Sequence, residues 1–494
     1  MLMTDALAYL ARMRRQDIQL LAAARQGDRA ARCEVGRRYL LGVHGFPRHV
    51  PTGLEHLTHP SVRELPQASA WIAEHLPLGE LLTRGHESVL DRAAAHSVIA
   101  QAKRTAWRTA ELGAPTAELR RALSACGDGS ADAVVLIAAR RAFSSGDLKR
   151  IAACLHNAIA LRTPVTSEVA AMVVSAVRMA EAGGVPLRGI EAEPLLACLE
   201  LRADEGDRDA AYAFGRGLCG IASSALPPWV FADKLNLRKG AAYLLRAADA
   251  GVDAAWLHLY RLCSDHRVSI ANPEMARFFL EKAADRGQAE AQRKLGALLL
   301  REAASLAASE HAIQWLHKAA ALDDAPAKDL LRSLVLRVPG ASAIAAAAVE
   351  LVRRSDPWLA LRLELAREFG LTKLEALCVD PVAGLRPWGI VVGKNPFITQ
   401  HRLSAPRAVP ALTESAIDAA RRAAAWFGQT KHDSAAGEGD LRRRSLRQRR
   451  LFERLGLDET LFFAEASSMR LEALRLGPKW AFRARESLML ALNG

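Results

Sequence analysis

The clearest pattern in the chain is an apolar stripe that repeats. Between residues 272 and 298 the positions Ala276, Phe279, Leu280, Ala283 and Ala284 follow the i, i+3, i+4 spacing of one helix face. Asn272 stands where a cap belongs, Pro273 at the first helical position and Glu274 in the first turn. Gly287 ends that helix as a left-handed residue, and a second helix begins near Ala289, turning Ala291, Leu295 and Leu298 inward. One period earlier stand Leu244, Ala247, Ala248, Gly251, Ala255 and Leu259, and one period later Leu316, Ala319, Ala320, Asp323, Ala327 and Leu331. Gly251, Gly287 and Asp323 are spaced by 36 residues, and Ala247, Ala283 and Ala319 by the same interval. A single helix pair of this kind cannot bury both its faces, so stacking on neighbours completes the core. The pattern therefore predicts an all-α solenoid of stacked helix-turn-helix repeats.

Two further copies are legible. Gly206, Ala210, Phe214 and Gly215 open one, and an insertion rich in Pro227, Pro228 and Trp229, near residues 222–236, separates its helices. Gly27, Ala31, Val35, Gly36, Tyr39 and Gly42 open the other, and Gly296 repeats the position of Gly36 and Gly215. The run Gly36-x-x-Tyr39-x-x-Gly42-x-x-Gly45-Phe46, with the Leu-x-x-Ala-Ala-x-x-Gly helix endings, resembles the Sel-one-like repeat, a branch of the tetratricopeptide superfamily. The resemblance covers residues 24–57 and about 200–338 and is faint over 63–190, where helical segments persist without the motif. It implies an adaptor whose concave helical face holds partner proteins. The chain accordingly divides into a repeat at 1–62, degenerate helical repeats at 63–198, regular repeats at 199–350 and a different, mainly helical region at 351–494.

In that last region residues 361–368 and 414–427 read as helix, and the run from Trp388 to Gly393 is β-like, with Arg407 to Pro410 as its pairing partner, a small β-hairpin. After a Gly- and charge-rich break at 437–440, Arg442, Arg443, Arg444, Arg447, Arg449, Arg450 and Arg454 form an almost continuous basic helix. The order Gly370-Leu371-Thr372, then Ile390-Val391-Val392 with Lys394, then Arg407-Ala408-Val409-Pro410 resembles part of the catalytic domain of tyrosine recombinases. The family places a phosphate-clamping arginine where Thr372 stands, and Lys394 matches its hairpin lysine. The His-x-x-Arg motif has no counterpart, and no tyrosine follows Tyr260, so the resemblance implies an inactive domain that keeps at most an affinity for DNA.

Composition agrees with helix: half of the residues are apolar but only 5% aromatic, and alanine is abundant. The formal charge of +13 suits nucleic acid, anionic lipid, an acidic partner or plain solubility. The seven cysteines are scattered and never form C-x-x-C, which suits reduced thiols in a cytoplasmic protein. No signal peptide is evident, and the most apolar stretch, near 343–349, is far shorter than the ~18–20 residues of a membrane span.

Motifs that carry chemistry are incomplete. Gly215-Arg216-Gly217-Leu218-Cys219-Gly220 spells a dinucleotide fingerprint but follows a helical stretch instead of a strand. Gly389 to Asn395 resembles a phosphate loop with one residue too few and no hydroxyl after Lys394. His86-Glu87-Ser88-Val89-Leu90 lacks the second histidine of a zinc helix. His44, His49, His56 and His59 crowd beside Cys33, where capping and solvated roles compete with metal binding. Asp323 and Asp324 sit at a helix start, where they serve the helix dipole. The expectation is a non-catalytic, cytoplasmic protein-interaction adaptor with no cofactor or metal and no membrane contact, its partners on the concave repeat face. The alternative is a DNA-associated protein, with Arg442, Arg443, Arg444, Arg447, Arg449 and Arg450 meeting nucleic acid.

Overall fold

The computed structural model describes residues 15–162, 164–393, 406–430, 438–475 and 491–492. Helices dominate these residues from Arg15–Arg25 to Ser468–Arg475, and the fold class is all-α: stacked helix pairs of a solenoid, with one small sheet. The chain forms two compact units, residues Met1–Val252 and Asp253–Gly494. Among the described residues no helix is long and apolar enough to cross a membrane.

The repeat is built by caps, alanines and glycines in fixed places. Asn272 accepts from the amides of Glu274 and Met275 at 3.0 and 3.1 Å and starts the helix Pro273–Asp285. Asn236 does the same for Leu237–Asp249, Asp324 for Ala325–Ser333 and Asp28 for Arg29–Leu41. Each such cap satisfies an otherwise unpaired helix amide and is worth about 1 kcal/mol. Ala247, Ala283 and Ala319 are completely buried, and in a close-packed interior a small side chain lets neighbouring helices approach.

The repeat glycines fall into two classes. Gly27, Gly206, Gly251 and Gly287 have φ of 98°, 92°, 94° and 79° and turn the chain out of one helix toward the next. Gly36, Gly215 and Gly296, nine positions beyond Gly27, Gly206 and Gly287, are helical and mark close helix contacts. A Cβ on Gly215 would lie 2.9 Å from the Leu244 amide nitrogen, and one on Gly296 would lie 2.7 Å from Leu316 Cγ.

In the second unit, strands Leu385–Arg386, Gly389–Val392 and Arg407–Pro410 form an antiparallel sheet in that order. Ile390 pairs with Val409 and Val391 with Ala408. The two strands expected from the sequence are present, and a third, Leu385–Arg386, adds to the other edge of Gly389–Val392. Alternate residues of the sheet enter different cores. Val391 and Ala408 pack with Ile313, Leu316 and Leu331 of the repeat helices. Ile390, Val392 and Val409 pack with Leu363, Phe369, Ile417 and Phe462. The period-two pleat thus sandwiches the sheet between two helical layers, and every residue of Gly389–Val392 and Arg407–Pro410 is buried.

One buried ion network ties the second layer together. Glu375 accepts from Arg407 at 2.8 and 3.0 Å, from Arg475 at 2.7 Å and from the Thr372 amide at 3.0 Å. Burial opposes its charge, but the guanidiniums and the amide outweigh that and hold its carboxyl down at about 2.

Candidate interaction surfaces

In the first unit a cleft of about 360 Å³ opens beside the insertion. The helix Ala192–Asp204 supplies Glu193, Leu196, Ala197 and Glu200, four residues spaced along one helix face. Phe214 and Leu218 come from Arg208–Leu218, Lys239 from Leu237–Asp249, and Lys234 and Asn236 from the end of the insertion. The floor is therefore apolar and the rim carries both signs of charge. Lys239 pairs with Glu200 and lies 5.8 Å from the centre of the Phe214 ring. Tyr243 stands edge-on to Phe214 at 5.2 Å and donates to Asp204 at 2.8 Å. Burial and the Asp204 carboxylate push its phenol up to about 12, so it stays a donor at neutral pH.

The insertion folds as a short 3-10 turn, Pro228–Phe231, whose first two residues are exposed and last two buried. Val230 and Phe231 are buried, whereas Trp229 and, just beyond, Leu235 are 61% and 60% exposed. Phe231 lies over Gly217, where a Cβ would meet the ring at 2.0 Å. This accounts for the G-x-G-x-x-G run: Gly215 meets the next helix, Gly217 receives a ring, and Gly220, with φ of 70°, turns the chain out of the helix. No strand precedes it; the segment is helix Arg208–Leu218.

The basic helix, Leu441–Leu455, begins at Asp440, whose side chain accepts from the Arg443 amide at 2.9 Å. Its arginines have different fates. Arg362, buried in the layer beneath, binds Glu438 with both arms of its guanidinium and also the carbonyls of Ala376 and Val379, each at 2.8 Å. Arg444 turns to the same Glu438 at 3.1 Å and donates to the Leu377 carbonyl at 2.9 Å. Burial, then the nearby Arg362 charge, lower its pKa. Arg447 donates to the Glu438 carbonyl and lies 3.7 Å from Asp356. Arg442, Arg443, Arg449 and Arg450 are exposed. Among the described residues none of these four forms an ion pair.

Beside this helix runs a groove of about 510 Å³. Its walls are Lys373, Leu374 and Leu377 of the short helix Lys373–Cys378, and Leu441, Arg442, Ser445, Leu446 and Arg449 of the basic helix. Nothing in the sequence places these two helices together, because 64 or more positions separate their facing residues.

The other residues singled out from the sequence have local roles. His49 caps Val50–Leu57 by accepting from Thr52, His59 hydrogen-bonds Ser61 and His56 stacks on Tyr39 at 6.3 Å. His44 adopts a positive φ of 53°. Among the described residues no three His, Cys, Asp or Glu side chains converge as metal ligands. His86 lies in the turn before the helix Ser88–Ala93, not on it. Thr372 forms a capping box with Glu375 at the start of Lys373–Cys378. Gly389 sits in the sheet opposite Pro410, and Lys394 and Asn395 lie outside the described residues.

No protein-family model and no curated protein matches the chain. Among solved structures it is similar to a Sel1 repeat protein from Oxalobacter formigenes, at 21% identity and a TM-score of 0.29, covering 66% of this chain and 92% of that one. It is also similar to a protective antigen present in uropathogenic Escherichia coli strains that displays an SLR fold, at 16% identity and a TM-score of 0.31, covering 94% and 88%. The stacking described above stands on the chain's own caps, glycines and buried alanines.

Proposed function

We propose that this chain is a non-catalytic, cytoplasmic scaffold that binds a protein partner through its helical repeats, on the face that the solenoid leaves concave. The observation that carries this reading is the cleft of residues 193–239. It combines an apolar floor, rim charges of both signs and the exposed Trp229 and Leu235 beside it. Exposed aromatic and aliphatic side chains next to a preformed cleft are what a partner's anchor residues meet. Leu235 is exposed, so Leu235→Asp leaves the fold intact, and paired Trp229→Ala and Leu235→Asp variants report on binding alone. Quantitative affinity capture from the source cell should recover a protein with the parent chain and lose it with the double variant. Recovery of the same proteins by both chains would remove this cleft from the reading.

A second reading, association with DNA through an inactive recombinase-like region, draws on Arg442, Arg443, Arg449 and Arg450, exposed on the basic helix. Each phosphate they neutralise would release counterions, so duplex binding would fall steeply with salt. Substituting Arg442, Arg443, Arg449 and Arg450 by alanine should then abolish a gel shift at low salt, and no shift by the parent chain excludes this reading.

A further inference from the structure

The groove beside the basic helix has a chemistry that differs from that of a phosphate-binding surface. Arg442, Ser445, Leu446 and Arg449 occupy i, i+3, i+4 and i+7 of one helix face, so a leucine lies between two arginines. Leu446 is 47% exposed, and Leu374 and Leu441, both partly buried, continue the apolar strip toward the buried Leu377. The charges that line the groove are Lys373, Arg442 and Arg449; Glu459, outside the lining, pairs with Lys373 and also feels the charge of Arg449. Arg442 and Arg449 have no ion-pair partner among the described residues. The result is an apolar trough with a rim of net positive charge.

We infer that this groove docks an acidic, leucine- or phenylalanine-bearing peptide segment of a partner protein. It does so independently of the cleft at residues 193–239. Charge complementarity selects the occupant. Apolar side chains would cover Leu374, Leu377, Leu441 and Leu446, and flanking Asp or Glu residues would meet Arg442 and Arg449. The volume, about 510 Å³, falls in the ~300–1,000 Å³ range of sites that enclose a compact ligand. Duplex DNA would satisfy the arginines but leave the leucine strip against water or phosphate. Arg444 and Arg447, which would extend a phosphate track, are drawn to Glu438 instead. A second copy of a chain with a net charge of +13 would bring mainly positive charge to a positive rim.

The test uses the full chain and a phage-displayed library of random peptides, with Leu446→Glu and the double variant Arg442→Glu, Arg449→Glu as comparators. All three substituted side chains are exposed, and circular dichroism of each variant confirms that its helices persist. Enriched peptides should pair Leu or Phe with Asp or Glu. Their synthetic forms should bind each variant at least about tenfold more weakly than the parent, as expected for a contact at the centre of a small interface. Replacing their acidic residues by Asn or Gln should weaken binding and reduce its salt dependence. The inference fails if no peptide is enriched, if enriched peptides lack acidic residues, or if they bind Leu446→Glu as tightly as the parent. It also fails if a random-sequence DNA duplex binds through Arg442 and Arg449 with no effect of Leu446→Glu. Dimerisation of the parent abolished by Leu446→Glu would overturn it in favour of a second copy. The cleft variant Leu235→Asp should leave peptide binding unchanged, which separates failure here from failure of the proposed scaffold function.

Discussion

Asp323 holds, with φ of 63°, the left-handed position that Gly287 holds one repeat earlier with φ of 79°. The turn is the same, but only one of the two residues adopts it without steric cost. Asp323 has its side chain in solvent and pairs with Lys328 at 2.6 Å, while Asp324 takes over the cap of the next helix. An aspartate is among the side chains that tolerate this conformation, which is why the repeat survives the loss of its glycine.

The pair makes an asymmetric prediction. Gly287→Ala forces a Cβ into the left-handed region and should destabilise the second unit by about 1–2 kcal/mol. Asp323→Gly removes that strain and should raise the melting temperature or leave it unchanged. Thermal melts of the two variants beside the parent check both directions. A lower melting temperature for Asp323→Gly would show that its ion pair outweighs the backbone term.

Ala283 is completely buried between neighbouring helices. Ala283→Leu should therefore overpack that seam and cost about 1–3 kcal/mol, while Ala283→Gly should cost less through packing and more through helix propensity. Chemical denaturation followed by helical circular dichroism measures the difference. A Leu variant as stable as the parent would mean that the seam is slack.

The Glu375 network predicts a pH dependence. Its carboxyl is held at about 2 in the folded chain, below its ordinary 4.5. The stabilisation is therefore fully present above pH 4.5 and is lost as the pH falls through that value toward 2. Glu375→Gln leaves Arg407 and Arg475 buried without their counter-charge and should cost roughly 3–5 kcal/mol near neutral pH. Hydrogen exchange in the strands Gly389–Val392 and Arg407–Pro410 is the local readout. The variant should also show a shallower loss of protection on acidification than the parent.

The cysteines supply a further prediction. Cys33, Cys154, Cys198 and Cys263 are buried, and all seven are free thiols. Burial pushes Cys198 up to about 11 and Cys219 up to about 12. Thiolate at mildly alkaline pH is therefore scarce at these sites, and an aromatic disulfide reagent should react slowly with the folded protein. Denaturant should release all seven thiols to rapid reaction. Fast native reaction at Cys198 or Cys219 would contradict the burial that raises their pKa.

Much of the repeat is local and so could be read from the sequence. A cap such as Asn272 acts on amides two and three positions away, and a helix stripe needs no distant partner to be recognised. The glycines Gly36, Gly215 and Gly296 were legible as a repeated position, although their reason, contact with the following helix, appears only once that helix is in place. The strands Gly389–Val392 and Arg407–Pro410 were legible as a β-like run and its partner. The strand Leu385–Arg386 was not, because two residues carry no period.

By itself, then, the sequence determined the helix pairs, their ends and their spacing, since these depend on interactions within a few residues. Only the tertiary structure decided the charge pattern of the basic helix. Seven arginines between Arg442 and Arg454 look alike in sequence, yet Arg444 and Arg447 turn to Glu438, whose position is fixed by Arg362 some 76 positions earlier. Tertiary structure likewise placed Glu375 between Arg407 and Arg475, which lie 32 and 100 positions from it. It also set Leu374 and Leu377 opposite Leu446 to form the groove. A charge or a leucine is available to a partner only if the chain itself does not cover it, and that depends on which distant residues folding brings beside it.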